Sequence, residues 1–254
     1  MAADMEQETF EQTAKRVAGA GRISDGIGTL REKTLHTVLK YYIEPDAVWH
    51  EVKVGPYVAD IMGSDGIIEI QTRNFSNMRK KLAFLLEQYH VTVVYPAVRL
   101  KWLSWIDPVT GEVTKKHKSP KTGTPSAVFA ELARIRPLLR SKNLSLKVVL
   151  LDMEETRFLN GWSTDKKRGS RRCDRIPVEL CSEIAVDKPD DYHRLIPPLL
   201  PPVFTTKDYQ KQGAVSLSVA QTAVNILVYV GAVRQVGKQG RLNTYEKSYD
   251  NTEE

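Results

Sequence analysis

The stretch YVADIMGSDGIIEIQT, residues 57–72, consists of two short apolar runs joined by Ser64, Asp65 and Gly66, and each run carries one acid, Asp60 in the first and Glu69 in the second. Apolar, β-branched runs on either side of a Ser-Asp-Gly turn predict two paired strands. A carboxylate taken out of water costs several kcal/mol unless it is paired or holds a metal. Any fold that buries these runs must therefore supply Asp60 and Glu69 with partners. Singly, an aspartate near a turn or a glutamate on an edge strand is an ordinary surface feature; together they constrain both the fold and its chemistry.

The neighbouring segments extend the pattern. Residues 5–18 read as a polar helix, and GAGRISDGIG is a flexible joint. In residues 29–43 Leu30, Leu35, Val38, Leu39 and Tyr42 recur at helical spacing. AVWHEVKV and YVADIM are predicted strands turning at Gly55 and Pro56, and IIEIQT completes a three-strand meander. Asn74 or Ser76 caps the next predicted helix, FSNMRKKLAFLLEQY, and VTVVYPAV is a strand running into RLKWLSWI. The order is αβββαβ. A basic loop, KKHKSPKTG, leads to a predicted helix over 126–140 and a strand LSLKVVLLDM. The run DKKRGSRR then opens a region read as irregular up to the proline cluster IPPLLPPVF at 196–204.

Composition excludes several classes. At 254 residues and 41% hydrophobic, the chain is long enough to bury a substantial core. No apolar run approaches the about 18 residues of a membrane span, and the acidic MAADMEQETF does not resemble a secretory signal, so a cytoplasmic location with no membrane partner is expected. Two cysteines, Cys173 and Cys181, make no disulfide framework, and five scattered histidines lack zinc-ligand spacing. HEVKV is not a HExxH motif, because Val54 stands where the second histidine belongs. The net charge of +6 and pI near 9.2 favour a polyanionic partner.

The αβββαβ order, with an acid on the first helix, an acid on the second strand and EIQ on the third, resembles the PD-(D/E)XK, or restriction-endonuclease-like, nuclease superfamily over residues 28–105. The resemblance implies an α/β core in which Glu32, Asp60 and Glu69 hold Mg2+ or Mn2+ and Gln71 orients water. Residues i and i+2 of a strand share a face, which places Glu69 and Gln71 on one side and Ile68 and Ile70 toward the core. Magnesium takes hard oxygen ligands of this kind. Gln71 stands where the family has a lysine, and the missing cation is expected from Lys81, ahead of Lys101. His36, one turn after Glu32, and Glu51, beside His50, are further neighbours of the expected site, and His36 reads equally as a packing residue.

The C-terminal segment resembles a winged-helix domain: FTTKDYQKQG is a helix capped by Thr205 or Thr206, SLSVAQTAVNILVYVGA a second helix, and VRQVGKQGRLNTYE a hairpin turning over 237–240. Leu217, Ala220, Val224, Leu227 and Val228 are expected inward; Ser218, Gln221, Thr222 and Asn225 outward, with Lys238 and Arg241 on the wing. Six Lys or Arg against two acids over 203–247 suit phosphate contact, although winged helices also bind proteins or pair as homodimers. Lys115, Lys116, Lys118 and Lys121 in the basic loop are candidates to grip phosphate, or are simply solvated. The expected domains are an N-terminal helix and joint (1–27), a nuclease-like domain (28–195), a proline-rich linker (196–202), a winged helix (203–247) and a tail (248–254). The expected activity is magnesium-dependent hydrolysis of DNA, with RNA as a possible substrate. The alternative is an inactive nuclease fold serving as a DNA-binding regulator or adaptor.

Overall fold

A computed structural model describes residues 10–19, 33–159 and 172–248. The protein is mixed α/β, and its chain divides into two compact units, each built from separated segments. Residues 1–50, 98–122 and 150–182 form one, and residues 51–97, 123–149 and 183–254 form the other. Three long strands, β4 (Val91–Ile106), β6 (Leu144–Phe158) and β7 (Arg172–Val186), give residues to both.

In the second unit, β1 (His50–Val54), β2 (Tyr57–Gly63) and β3 (Gly66–Ile70) precede helix α3 (Phe75–Leu85) and then β4, with the strand order β1-β2-β3-β4-β6-β7. β2 and β3 are antiparallel, Ile61 opposite Ile68, and β3 runs parallel to β4, Glu69 opposite Val93. Two glycines permit the turns. Gly55 has φ 58° with the Phe84 ring against it, and Gly66 has φ 126° with the His90 carbonyl where a Cβ would stand. Ala59, Ile61, Ile67 and Ile70 are buried with Val91, Val93 and Val94 and with Phe75, Leu82 and Leu85 of α3. Each large apolar side chain so buried contributes about 1.5–3 kcal/mol. The expected capping of α3 is replaced. Asn74 adopts a left-handed conformation, φ 58°, and makes no side-chain cap bond; the Glu131 carboxylate accepts from Phe75 N–H at 3.0 Å instead.

Two expectations in the middle of the chain are corrected. The helix expected over 126–140 is a single α turn, α4 (Phe129–Leu132), between 3-10 turns Pro125–Val128 and Ala133–Leu138. Ile135 has non-helical φ/ψ, and Pro137, two residues on, cannot donate a helical hydrogen bond and restricts Arg136 before it. Much of the region read as irregular is the 15-residue strand β7. Its alternation is blurred by Pro177 and by charged residues on both faces, which hid it from a period-2 reading.

The C-terminal part of this unit runs from a 3-10 turn Pro189–Leu195 through β8 (Val203–Thr205), α5 (Thr206–Gln212), α6 (Leu217–Val230), β9 (Val233–Gln239) and β10 (Leu242–Lys247), with strands ordered β8-β10-β9. Thr205 and Asp208 cap α5 reciprocally, and Ser216 caps α6. Tyr209 is fully buried, its ring 6.4 Å from those of Phe129 and Phe204 and its hydroxyl donating to Ser126 Oγ at 3.2 Å. Ala220, Val224 and Leu227 are buried as expected, but Leu217 and Val228 are exposed, at 41% and 39%; Ala223, Ile226 and Val230 take the inward face. Gln221, Asn225, Lys238 and Arg241 are exposed.

In the first unit, helix α1 (residues 10–19) and helix α2 (Lys33–Ile43) meet through Phe10 and Tyr42, ring centroids 5.1 Å apart, and through Arg16 stacked 4.8 Å over Tyr41. β5 (His117–Lys118) pairs antiparallel with β4, Trp102 opposite Lys118, so part of the basic loop is an edge strand. Among the described residues no single helix is long and apolar enough to cross a membrane.

Candidate functional site

Asp60, Glu69 and Lys81 meet within the second unit. The antiparallel register that sets Ile61 against Ile68 brings Asp60 beside Glu69 on the neighbouring strand. Asp60 Oδ2 accepts from the Ile70 N–H at 2.8 Å, so one oxygen of this half-buried acid joins the edge of the strand pair. Glu69 is 5% exposed. Its Oε2 lies 2.5 Å from Lys81 Nζ, whereas Oε1 is buried with no hydrogen-bond partner. Met78, Leu82 and Leu85 set the inner face of α3; Lys81 falls at its border, and Lys80, about 100° further round, is exposed.

The position of Glu69 differs from the expected one. Glu69 is buried together with Ile67 and Ile70, while Ile68 is only half-buried, so the acid does not stand on a solvated face opposite an isoleucine core. Burial, and secondarily the charge of Asp60, push the Glu69 carboxyl up to about 7, against the opposing hydrogen bond and charge of Lys81 and a hydrogen bond from the Asp60 backbone. A carboxyl so placed gains from any cation that reaches its second oxygen. Asp60 and Glu69 together offer the hard oxygen donors that magnesium or manganese takes, and the orphaned Oε1 is an acceptor with unused capacity, so the residues fit such an ion.

The remaining expected residues are dispersed. Gln71, just past β3, donates from Nε2 to the Arg73 carbonyl at 2.5 Å. Lys101 engages Glu155 in the first unit, Nζ to Oε2 3.3 Å, and does not serve the Glu69 carboxylate. Glu32 lies outside the described residues. His36 is half-buried on α2, and Glu51 is exposed on β1 with φ 54°. Lys115, Lys116, Lys118 and Lys121 are exposed, and Lys116 Nζ pairs with Glu154 Oε1 at 2.5 Å.

Two more buried acids, Asp152 and Glu155, lie on β6, each 1% exposed. The signal that marks Asp60 and Glu69, an acid within an apolar strand, is equally present at Asp152 in VVLLDM, whereas Glu155 stands among Glu154, Thr156 and Arg157 and is not marked by it. Arg99 forks Asp152, Nε to Oδ1 2.8 Å and Nη2 to Oδ2 2.7 Å, and the Leu100 N–H adds a bond of 3.0 Å. Ligand atoms of Asp152, Glu179 and Cys181 lie within 4.8 Å of one another. Burial and the Asp152 charge push the Cys181 thiol up to about 11, so it is a protonated thiol donating to Asp152 Oδ1 at 3.6 Å. Arg99 pairs with both carboxylates, Nη2 2.7 Å from Asp152 Oδ2 and 3.5 Å from Glu179 Oε1, so one cation already offsets part of the charge that a metal ion would meet there.

Residues 33–187 match the family described as "Domain of unknown function (DUF8091)". A protein of Treponema pallidum (strain Nichols), named "Uncharacterized protein", is 28% identical over 222 residues, covering 87% of each chain. No solved structure matches. The family match runs from the start of α2 to the residue after β7, more than half of the 254 residues, and the chain belongs to the DUF8091 family.

Proposed function

We propose that the protein is a metal-dependent nuclease that hydrolyses phosphodiester bonds in DNA, built on a PD-(D/E)XK-like αβββαβ core with a winged-helix-like C-terminal part. One observation carries this reading: two neighbouring strand acids, one with a buried and unpartnered oxygen, beside a lysine delivered by the next helix. Asp60 and Glu69 would hold the ion; Glu32 lies outside the described residues. A magnesium or manganese ion bound there supplies a Lewis acid and a water of lowered pKa. Lys81 substitutes for the motif lysine: it fixes Glu69 Oε2 and keeps a positive charge where negative charge develops during attack on phosphorus. Gln71 holds the chain after β3 through Arg73, and its side-chain carbonyl remains to orient water. Gln221 and Asn225 on α6, with Lys238 and Arg241 on the hairpin, are the side chains offered to DNA or RNA. The same part of the chain suits a protein partner or a second copy, and the compartment proposed is the cytoplasm.

A second reading, a nuclease fold without catalysis that binds DNA as a regulator, is favoured by the structural engagement of Gln71. Incubation of supercoiled DNA with the purified full chain, in magnesium, manganese or EDTA, separates the two. Nicking only with metal, lost in Asp60→Asn and Glu69→Gln while circular dichroism is unchanged, supports the nuclease. Terbium luminescence at the site without any cleavage supports the scaffold. Equal cleavage by wild type and both variants removes these acids from the reaction.

A further inference from the structure

Tyr229 lies in the last turn of α6, and two guanidiniums sit over its ring, Arg136 at 4.4 Å and Arg140 at 4.3 Å from the centroid. Both arginines come from the stretch that follows α4, and all three residues belong to the second unit. Arg140 also donates from Nη2 to the Tyr229 carbonyl, one of the last α6 carbonyls that find no partner inside the helix. Arg136 and Arg140 are exposed. The Arg136 guanidinium makes no hydrogen bond, and neither arginine pairs with a carboxylate, among the described residues. Arg134 and Lys142 of the same stretch are exposed and equally without a paired acid among those residues. The sequence accounts for this: no Asp or Glu stands between Glu131 and Asp152, nor between Asp208 and Glu246.

A guanidinium set over an aromatic ring keeps its donors at its own rim. Of five donors each, Arg140 commits one and Arg136 none, so the pair holds donor capacity that the fold leaves unused. The ring narrows the rotamers of two long side chains, which lowers the entropy they lose on closing around a ligand. The negative end of a helix repels anions, but Arg140 on the Tyr229 carbonyl and Arg136 beside it reverse the local sign. Tyr229 also continues a face of α6. Gln221, Asn225 and Tyr229 follow at i, i+4 and i+8, a stripe about 12 Å long. Phosphates of one duplex strand advance about 3.4 Å per nucleotide along the axis, so a strand running along this stripe reaches the arginines about three or four nucleotides beyond Gln221.

We propose that Arg136 and Arg140, ordered by Tyr229, bind phosphodiester groups of a nucleic-acid strand. The proposal rests on the reading of the protein as one that engages nucleic acid, and it adds a contact that the Asp60 and Glu69 site does not contain. The planar fork of arginine matches phosphate oxygens in pairs, and Arg134 and Lys142 add positive charge nearby along the chain.

The test is binding of a fluorescein-labelled oligonucleotide by the full chain in EDTA, read by anisotropy across a salt series. Arg136→Gln with Arg140→Gln is expected to lower the salt slope by roughly 1–2, because about one counterion is released per phosphate contact. The charge-preserving pair Arg136→Lys, Arg140→Lys is expected to keep the slope. An unchanged slope in a folded double Gln variant overturns the proposal, and so does a slope lost equally in the lysine pair, which marks a structural role. Phenylglyoxal modification of wild type, mapped by mass spectrometry, covers the case of an unfolded variant: protection of Arg136 and Arg140 by the oligonucleotide supports the site, and equal modification overturns it. Polyglutamate that protects these arginines as well as the oligonucleotide does, at matched charge, overturns the nucleic-acid assignment. Binding through these arginines without cleavage in magnesium keeps this site and defeats only the nuclease reading. Metal-dependent cleavage with an unchanged slope in the double Gln variant defeats this site and keeps the nuclease.

Discussion

Lys81 Nζ stands 2.5 Å from Glu69 Oε2, an ion pair that ties α3 to β3 across the eleven residues between them. It occupies one oxygen of the carboxylate and leaves the other buried and unpartnered. A lysine on the succeeding helix thus reaches the acid that Gln71 follows two positions later, just past the strand. The nearest cation to Glu69 is supplied by the fold rather than by the local motif.

Removal of that cation distinguishes the two adjacent lysines. Lys81→Gln is expected to lower metal-dependent cleavage roughly 100-fold, a size found when a positioned charge-stabilising group is lost. Lys80→Gln, at an exposed position, is expected to cut at the wild-type rate. Single-turnover rates at saturating protein check both. A Lys81→Gln protein as fast as wild type removes this residue from catalysis.

Acid stability depends on Glu155. Burial alone would raise its carboxyl, but Lys101, Arg157 and Arg175 prevail and hold it down at about 2, below its ordinary 4.5. A carboxyl depressed in the folded state stabilises fully above the unfolded value and loses that contribution as pH falls from about 4.5 through about 2. A depression of this size corresponds to about 3 kcal/mol. Urea denaturation of Glu155→Gln at neutral pH should show a loss of that order, and its stability should change less than wild type's between pH 4.5 and 2. Parallel pH profiles for the two proteins refute the assignment.

Gly66 is expected to tolerate no side chain. Its φ of 126° is unfavourable for an L-residue, and a Cβ would collide with the His90 carbonyl. Gly66→Ala should therefore cost at least about 2 kcal/mol, combining backbone strain with displacement of the strand end. A melting temperature equal to wild type's shows that this turn relaxes freely.

The segments most readable in the sequence are those where local chemistry and tertiary context agree. Thr205 with Asp208, the turns at Gly55 and Gly66, and the strand pair carrying Asp60 and Glu69 all declare themselves within a few residues. β7 does not, because Pro177 and scattered charges interrupt its alternation and its strand character comes from the neighbours it pairs with. The cap of α3 is equally hidden, since Glu131, 56 residues away, takes the Phe75 N–H. At the site, Asp60, Glu69 and Lys81 are each legible in the sequence, whereas the pairing of Glu69 with Lys81 comes from the packing of α3 against β3. The Glu155 cluster draws on β4, β6 and β7, and nothing within any one strand announces that four cations share one carboxylate.

The interleaved segments of the second unit set an order on its completion during synthesis. Residues 51–97 and 123–149 leave the ribosome well before 183–254. Ser126 and Phe129 must then wait for Tyr209, and Thr124 for the Gly213 carbonyl that its hydroxyl reaches at 2.8 Å. The β2–β3 hairpin and α3 can form from their own stretch of chain, so the acids and Lys81 of the candidate site are assembled from nascent polypeptide early. The surface that buries Phe129 closes last, and until then it is the part of the newborn chain that a chaperone has most reason to hold.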